Sequence, residues 1–459
     1  MASHFAKSIP TRLSLWQRVR EYAVPPSMIE TATARRAVGD WAGACAAARV
    51  DVDLDLRAVR ERHGTELFCR LKADLRRLAP DLLRWHMPRI APDGRLRPGL
   101  TISLARYGSS LNLVVRTPPA WADAGQRMSL ALWDASGQGA PRHHPHPHPD
   151  RRFRLDLHRH LWDAGRSGDL AGRCGGDETP WARQRWAAEA ELLLRAEGKA
   201  PRGAFTVRLG ARRHAVLELT APDDSHAPVC RPLRETLPAQ RIAELPVLPE
   251  AAARTLPDLE LLRAGLLARE RLHPLVAAAL PGYGTPPEPL DDTPGDPHRV
   301  ECRGEVHRIA LRDGVLTAVD HDAVQLRREE LLVAFGGPPL PCLRAIDAAH
   351  RTPEALPAVR ERLAHGDVTG ALAAVEGLLG PAAVLRDGPL REELEAAVAG
   401  RIDHGLFRSG LVAEHPGAGD ALDPDRTTPG VRPRLDRGTP VPMRRKRELR
   451  GRHRTGQFR

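Results

Sequence analysis

Few residues in this chain carry the chemistry of a recognisable site, and they lie far apart. Asp51, Asp53 and Asp55 alternate along residues 50–56. An extended backbone would turn all three carboxylates to one side, a disposition suited to a hard divalent cation. A calcium loop is excluded, because it needs glycine at its sixth position and glutamate at its twelfth, where this chain has Leu56 and Arg62. The reading the spacing favours is a solvated acidic edge leading into a helix that Asp55 caps. His143, His144, His146 and His148 alternate with prolines ahead of Asp150, with His158 and His160 close behind. Imidazoles at this density bind Ni²⁺ or Zn²⁺, but a proline-rich loop supplies neither the rigid scaffold nor the outer hydrogen bonds of a selective site. These four histidines are the candidate metal ligands, the default is a low-complexity loop, and no cofactor is expected. His86, next to Trp85, has the chemistry of a general base; beside an aromatic it reads as structural.

The chain contains no G-x-S-x-G elbow, phosphate-binding G-x-x-x-x-G-K-[ST] loop, dinucleotide G-x-G-x-x-G or H-E-x-x-H. Charge is more informative. Of a net +11, +7 lies in residues 443–459, leaving +4 for everything before them. Arg444, Arg445, Lys446, Arg447, Arg450, Arg452 and Arg454 form an arm that can neutralise phosphates without reading bases, since Phe458 is its one stacking ring. An acidic protein surface would suit it equally. Arguments from basicity apply to this tail and not to the body.

Six cysteines (Cys45, Cys69, Cys174, Cys230, Cys302, Cys342) form no close pair, so neither a disulfide framework nor a zinc ribbon can be drawn, and reduced thiols in the cytoplasm are expected. Lys7, Arg12, Arg18 and Arg20 interrupt the apolar residues of the N-terminus, which argues against a signal peptide. The most apolar stretch, residues 368–385, carries Glu376, three glycines and Pro381 and reads as a core helix rather than a membrane span.

The elements that must position these residues follow from periodicity. Ser27 to Glu30 reads as a capping box opening a helix that stops near Gly39. Asp40 suits the N-cap of a second helix bearing Trp41, Ala44, Cys45 and Ala48, and a longer amphipathic helix carries Leu56, Val59, Leu67, Leu71, Leu75 and Leu78. From Leu100 the period falls to two. Strands are predicted at Ile102/Leu104, Leu111/Leu113/Val115, Met128/Leu130/Leu132, Phe153/Leu155/Leu157, Phe205/Val207/Leu209 and Leu217/Leu219, in a mainly antiparallel sheet with one wet face. A helix over 180–197, capped by Thr179, should cover it through Trp186, Ala190 and Leu193. One helix is expected over 258–273, a hairpin with Asp313-Gly314 at its turn joins 306–311 to 315–319, and the chain is helical from Thr352 to about Leu411.

Residues 35–48 and 362–375 align without gaps with eight identities: Arg35/Arg362, Ala37/Ala364, Gly39/Gly366, Asp40/Asp367, Gly43/Gly370, Ala44/Ala371, Ala46/Ala373 and Ala47/Ala374. Glycine permits the left-handed turn after one helix, aspartate caps the next, and the small residues let the helices approach. This junction resembles that of tetratricopeptide hairpins, with Trp41 and Ala44 at the aromatic and small packing positions. No run of copies at a period near 34 accompanies it, so a stacked solenoid is not expected. The wording of residues 39–56 and 82–89 resembles a family of uncharacterised actinobacterial proteins, a resemblance that implies no activity.

The expected fold is α+β: a helical N-terminal region (1–95), an antiparallel α+β domain (96–235), a proline-rich bridge with one helix (236–299), a hairpin plus helical domain (300–413) and a disordered basic tail (414–459). The expected function is a non-catalytic cytoplasmic interaction or scaffold protein with a protein partner and no membrane association. The alternatives are a nucleic-acid-associated protein working through the tail, and an enzyme whose residues are too dispersed for motif reading.

Overall fold

The computed structural model describes residues 11–411 except 109, 136–143, 145–147, 175–179, 211–212, 221–226, 281–298, 303–304, 313–314, 319–320, 339, 345–355 and 380–386. The fold is α+β. Two compact units divide the described residues, one formed by those up to Asp123, from Arg127 to Leu280 and from Phe407 to Leu411, the other by Ala124–Gln126 and those from Arg299 to Leu406.

The first unit opens with α1 (Thr11–Arg18), which continues as a π turn, then α2 (Pro26–Ala37), α3 (Trp41–Ala47), β1 (Val50–Asp53), α4 (Leu56–Arg77) and α5 (Pro80–His86). Proline starts α2 and α5, where its missing N–H would have had no helical partner. Because Pro26 already has helical φ, Pro25 is the N-cap of α2 and Ser27 falls inside the first turn; the expected Ser27 capping box does not form. Asp40 and Asp55 do cap α3 and α4. The buried side of α4 carries Val59, Leu71 and Leu75, but its backbone breaks at Gly64 (φ 85°, ψ 168°), a conformation open essentially to glycine.

β2 (Thr101–Tyr107), β3 (Leu111–Arg116) and β4 (Met128–Asp134) join β1 in a sheet of order β1-β4-β3-β2. β1 runs parallel to β4 and the other pairs are antiparallel. Ile102, Leu113, Val115 and Leu130 enter the main core with Leu75 and Trp85. The expected wet face is covered: every residue of β3 is buried. Of the polar residues that gave the alternation, Asn112 is satisfied from within the protein, while Arg116 keeps Nε and one terminal nitrogen buried without a hydrogen bond. Ser103 donates to Asn112 (3.0 Å), and residues 150–154 run along β2, with the Asp150 amide donating to the Thr101 carbonyl (2.8 Å). The strand expected at 153–157 is instead a 3₁₀ turn, closed by the bidentate pair of Arg154 with Asp156 two residues on.

A second core in the same unit follows α6 (Leu170–Cys174): α7 (Trp186–Ala196) packs Trp186, Ala190 and Leu193 on Phe205, Val207 and Leu217 of β5 (Gly203–Arg208) and β6 (His214–Thr220), with β7 (Val229–Pro232) at the edge. The strands expected in one sheet therefore divide between two. α7 starts at Trp186 rather than Pro180, because Trp181 bridges to Arg254 and the Ala182 amide donates to the Ala253 carbonyl, holding this stretch extended. Thr179 lies outside the described residues. After α8 (Ala239–Glu244), Leu248 and α9 (Glu250–Ala253) complete the second core, whereas Leu259 of α10 (Pro257–Arg263) and Val276 of α11 (Pro274–Ala279) belong to the first. The helix expected over 258–273 ends early in a Schellman turn, with Gly265 at φ 66° and the Leu266 amide donating to the Leu261 carbonyl.

The second unit holds β8 (Arg299–Cys302), β9 (Glu305–Arg312) and β10 (Val315–Ala318) in antiparallel order β10-β9-β8, followed by α12 (Ala323–Ala334), α13 (Leu356–Ala364), α14 (Val368–Leu379) and α15 (Pro389–Ser409), of which the last three residues belong to the first unit. Arg312 pairs with Val315, the register of a hairpin with two connecting residues, although Asp313 and Gly314 themselves lie outside the described residues. Leu356, Val359 and Leu363 pack on Ala371, Val375 and Leu390. Among the described residues no helix is long and apolar enough to cross a membrane. The tail, 414–459, lies outside them.

Candidate functional site

The two Gly-Asp junctions are built atom for atom alike, one in each unit. In the first, Gly39 takes φ 78° and the Asp40 amide reaches back to the Arg35 carbonyl (2.9 Å); in the second, Gly366 takes φ 83° and the Asp367 amide reaches the Arg362 carbonyl (2.7 Å). Each aspartate then divides its carboxylate. One oxygen accepts the third amide of the next helix, from Gly43 (2.8 Å) or Gly370 (3.2 Å), and the other accepts the guanidinium of Arg35 (3.2 Å) or Arg362 (2.9 Å). The C-cap of one helix is thus locked to the N-cap of the next by one arginine and one aspartate. Gly43 and Gly370 make room for this: a Cβ there would stand 2.1 or 2.2 Å from the aspartate Oδ2. Ala44 and Ala371, the next residues, are fully buried.

Elsewhere in the first unit, ionisable side chains are buried in hydrogen-bonded networks. Arg20 clamps Asp258 with two bonds (2.8 and 2.7 Å), donates to the Trp85 carbonyl (2.7 Å) and stacks on the Trp85 ring, whose Nε1 donates to Asp258 as well (3.0 Å). Burial pulls the Arg20 guanidinium below its ordinary value against the attraction of Asp258. Next to it, His273 Nε2 lies 3.1 Å from Asp81 Oδ2, with its Nδ1 accepting the Leu275 amide at 3.2 Å. That amide fixes the tautomer, so Nε2–H is the donor to Asp81, and neither nitrogen is spare to take a substrate's proton. Glu189 is gripped by Arg173 (3.0 and 2.5 Å) and Arg185 (3.1 Å) and faces His158 Nε2 at 3.2 Å; despite burial, these partners hold its carboxyl far below the usual range. Asp74 accepts from Tyr107 (2.8 Å), Arg159 (2.5 Å) and Arg77 (2.9 Å).

The residues singled out in the sequence are dispersed through this framework. Asp51 is bound by Arg127 (2.5 and 3.1 Å), Asp53 by Arg408 (2.5 and 2.7 Å), and Asp55 accepts the amides of Arg57 and Ala58 in the first turn of α4. Among the described residues no three His, Cys, Asp or Glu side chains converge as a metal would require. His144 is buried with Nε2 3.0 Å from the Thr117 carbonyl, and His148 meets the Trp133 ring edge-on at 5.9 Å. His143 and His146 lie outside the described residues, as do Arg444, Arg445, Lys446, Arg447, Arg450, Arg452 and Arg454. His86 has its Nε2 shut off from solvent and without a hydrogen bond, and burial beside Arg20 and His273 drives its pKa well below the ordinary imidazole value. Five cysteines are free thiols, and burial pushes Cys45 up to about 12. The Arg20, Asp74 and Glu189 networks escaped sequence reading; an arginine or an acid set inside an apolar helical stripe was the one local sign of them.

The chain matches no family model, no curated protein and no solved structure.

Proposed function

We propose that this protein is a non-catalytic, cytoplasmic interaction or scaffold protein. The observation that carries the reading is the repeated hairpin lock, a junction resembling that of tetratricopeptide hairpins and used once in each unit. The saturated carboxylates add support, because Asp258, Asp74 and Glu189 are each committed to several cationic or ring donors and serve to tie elements together. At the first junction Val38 stands 78% exposed, an apolar contact point beside the turn. The test is cross-linking of the full chain in its own cells, read by mass spectrometry. One partner protein in fixed stoichiometry should cross-link next to the hairpins, and Val38→Asp should remove those cross-links without changing the melting temperature. Cross-links that map elsewhere, or that survive Val38→Asp, would count against the reading.

A second reading rests on the concentration of positive charge in residues 443–459, which suits a sequence-blind nucleic-acid arm.

A further inference from the structure

α12 turns its apolar residues in both directions. Leu326 points inward to Ala318, Leu340 and Cys342. On the opposite side Val324, Leu331 and Phe335 are 60, 58 and 89% exposed, and together with Arg328 they recur at helical intervals as one stripe of three turns. Val324, Arg327, Arg328 and Leu331 line a shallow groove there. Scattered exposed apolar residues need no explanation, but three aligned on one side of a helix, with Arg328 among them, mark a binding face.

The charges beside the stripe identify the occupant. Arg327 and Glu330 are exposed on the same flank, and the run Arg327-Arg328-Glu329-Glu330 read backwards exchanges every charge for its opposite. On this flank an antiparallel copy of the helix is therefore complementary to the original, through Arg327 and Glu330. We infer that the exposed face of α12 docks antiparallel on the same face of a second copy of this chain, about a twofold axis. Phe335 of each copy then covers Val324 of the other, and Arg327 of each lies within reach of Glu330 of the other, giving two equivalent ion pairs. A parallel arrangement would set Arg327 against the opposite flank, where Leu332 lies, and would lose both pairs. The contact is isologous, so it closes at the dimer and does not propagate. One short helix per copy lies at the small end of specific interfaces, so association is reversible and in the micromolar range.

The experiment is sedimentation equilibrium of the full chain over about 1–100 μM. Wild type should dimerise, with Leu331→Asp and Phe335→Asp each weakening association at least about tenfold. Arg327→Glu sets acid against acid and Glu330→Arg sets base against base, so each alone should weaken association. Mixing these two single variants should produce heterodimers, and R327E/E330R in one chain should restore the homodimer. The charge variants sit on exposed positions and keep the wild-type melting temperature, so their pattern decides the matter even if Phe335→Asp impairs folding. A chain that stays monomeric to the highest concentration, or a dimer indifferent to these substitutions, overturns the proposal.

Discussion

His86 and His160 are imidazoles that the folded chain keeps neutral. Burial is the main cause at both; Arg20 and His273 add repulsion at His86, and His158 and Arg173 add it at His160, which is pushed down to about 2. In the unfolded chain both titrate near about 6.5. Between that value and the depressed folded values the unfolded state binds the extra protons, so stability rises with pH through this window and drains away as pH falls from about 6.5. Glu189 works over a different range. Its folded pKa is depressed, so its contribution is present above the ordinary glutamate value and is lost only as pH falls through the lower folded one. Loss between neutrality and about pH 5 therefore belongs to the histidines. The urea midpoint should fall over this range with a slope approaching two protons, and His86→Gln or His160→Gln should each flatten it. A midpoint independent of pH would mean that neither imidazole is kept from its proton.

The hairpin lock is an element-scale device, and its strength can be measured as a coupling. Gly43→Ala puts a methyl group where the Asp40 carboxylate stands, forfeiting a cap worth about 1 kcal/mol. The same change gains about 1 kcal/mol of helix propensity, so the net effect on wild type should be near zero. In an Asp40→Ala background nothing opposes the gain, and Gly43→Ala should stabilise by about 1 kcal/mol. Gly370→Ala and Asp367→Ala should repeat the cycle in the second unit. Equal effects of Gly43→Ala in both backgrounds would dissolve the lock into separate contacts. This junction was legible in the sequence because its parts lie within nine residues: glycine, aspartate and a helix on either side suffice. β2, β3 and β9 were legible for the same reason, period two over a short run. What escaped reading depends on distant chain. α7 starts late because residues 253–254 capture Trp181 and Ala182, and the edge of β2 is paired by residues 150–154, which begin more than 40 residues after β2 ends. The bond between Arg20 and Asp258 spans 238 residues, beyond any local pattern. Gly64 was passed over because one glycine inside an apolar period does not reveal its φ.

Over the whole molecule, charge is unevenly spread, with +7 of the net +11 in the last 17 residues. If those residues work as an electrostatic arm, full-length protein binds duplex DNA or RNA at low salt, and removing residues 443–459 abolishes binding without shifting the melting temperature. Neutralising about six phosphates implies a log–log salt slope near about −5 and roughly a thousandfold weakening between about 50 and 200 mM salt. Binding that survives the deletion would place the contact on the nearly neutral body, and no binding at about 50 mM would remove the nucleic-acid reading. The lock carries a different kind of consequence, one for descent. Because the glycine at 43 or 370 is needed only while an aspartate stands three residues before it, the two positions are not free to drift separately. A lineage that loses the aspartate releases the glycine to become alanine, and one that acquires a larger side chain first must give up the aspartate. Among related sequences, Arg35, Asp40 and Gly43 should be retained or lost together, and the same inheritance should hold, independently, for Arg362, Asp367 and Gly370.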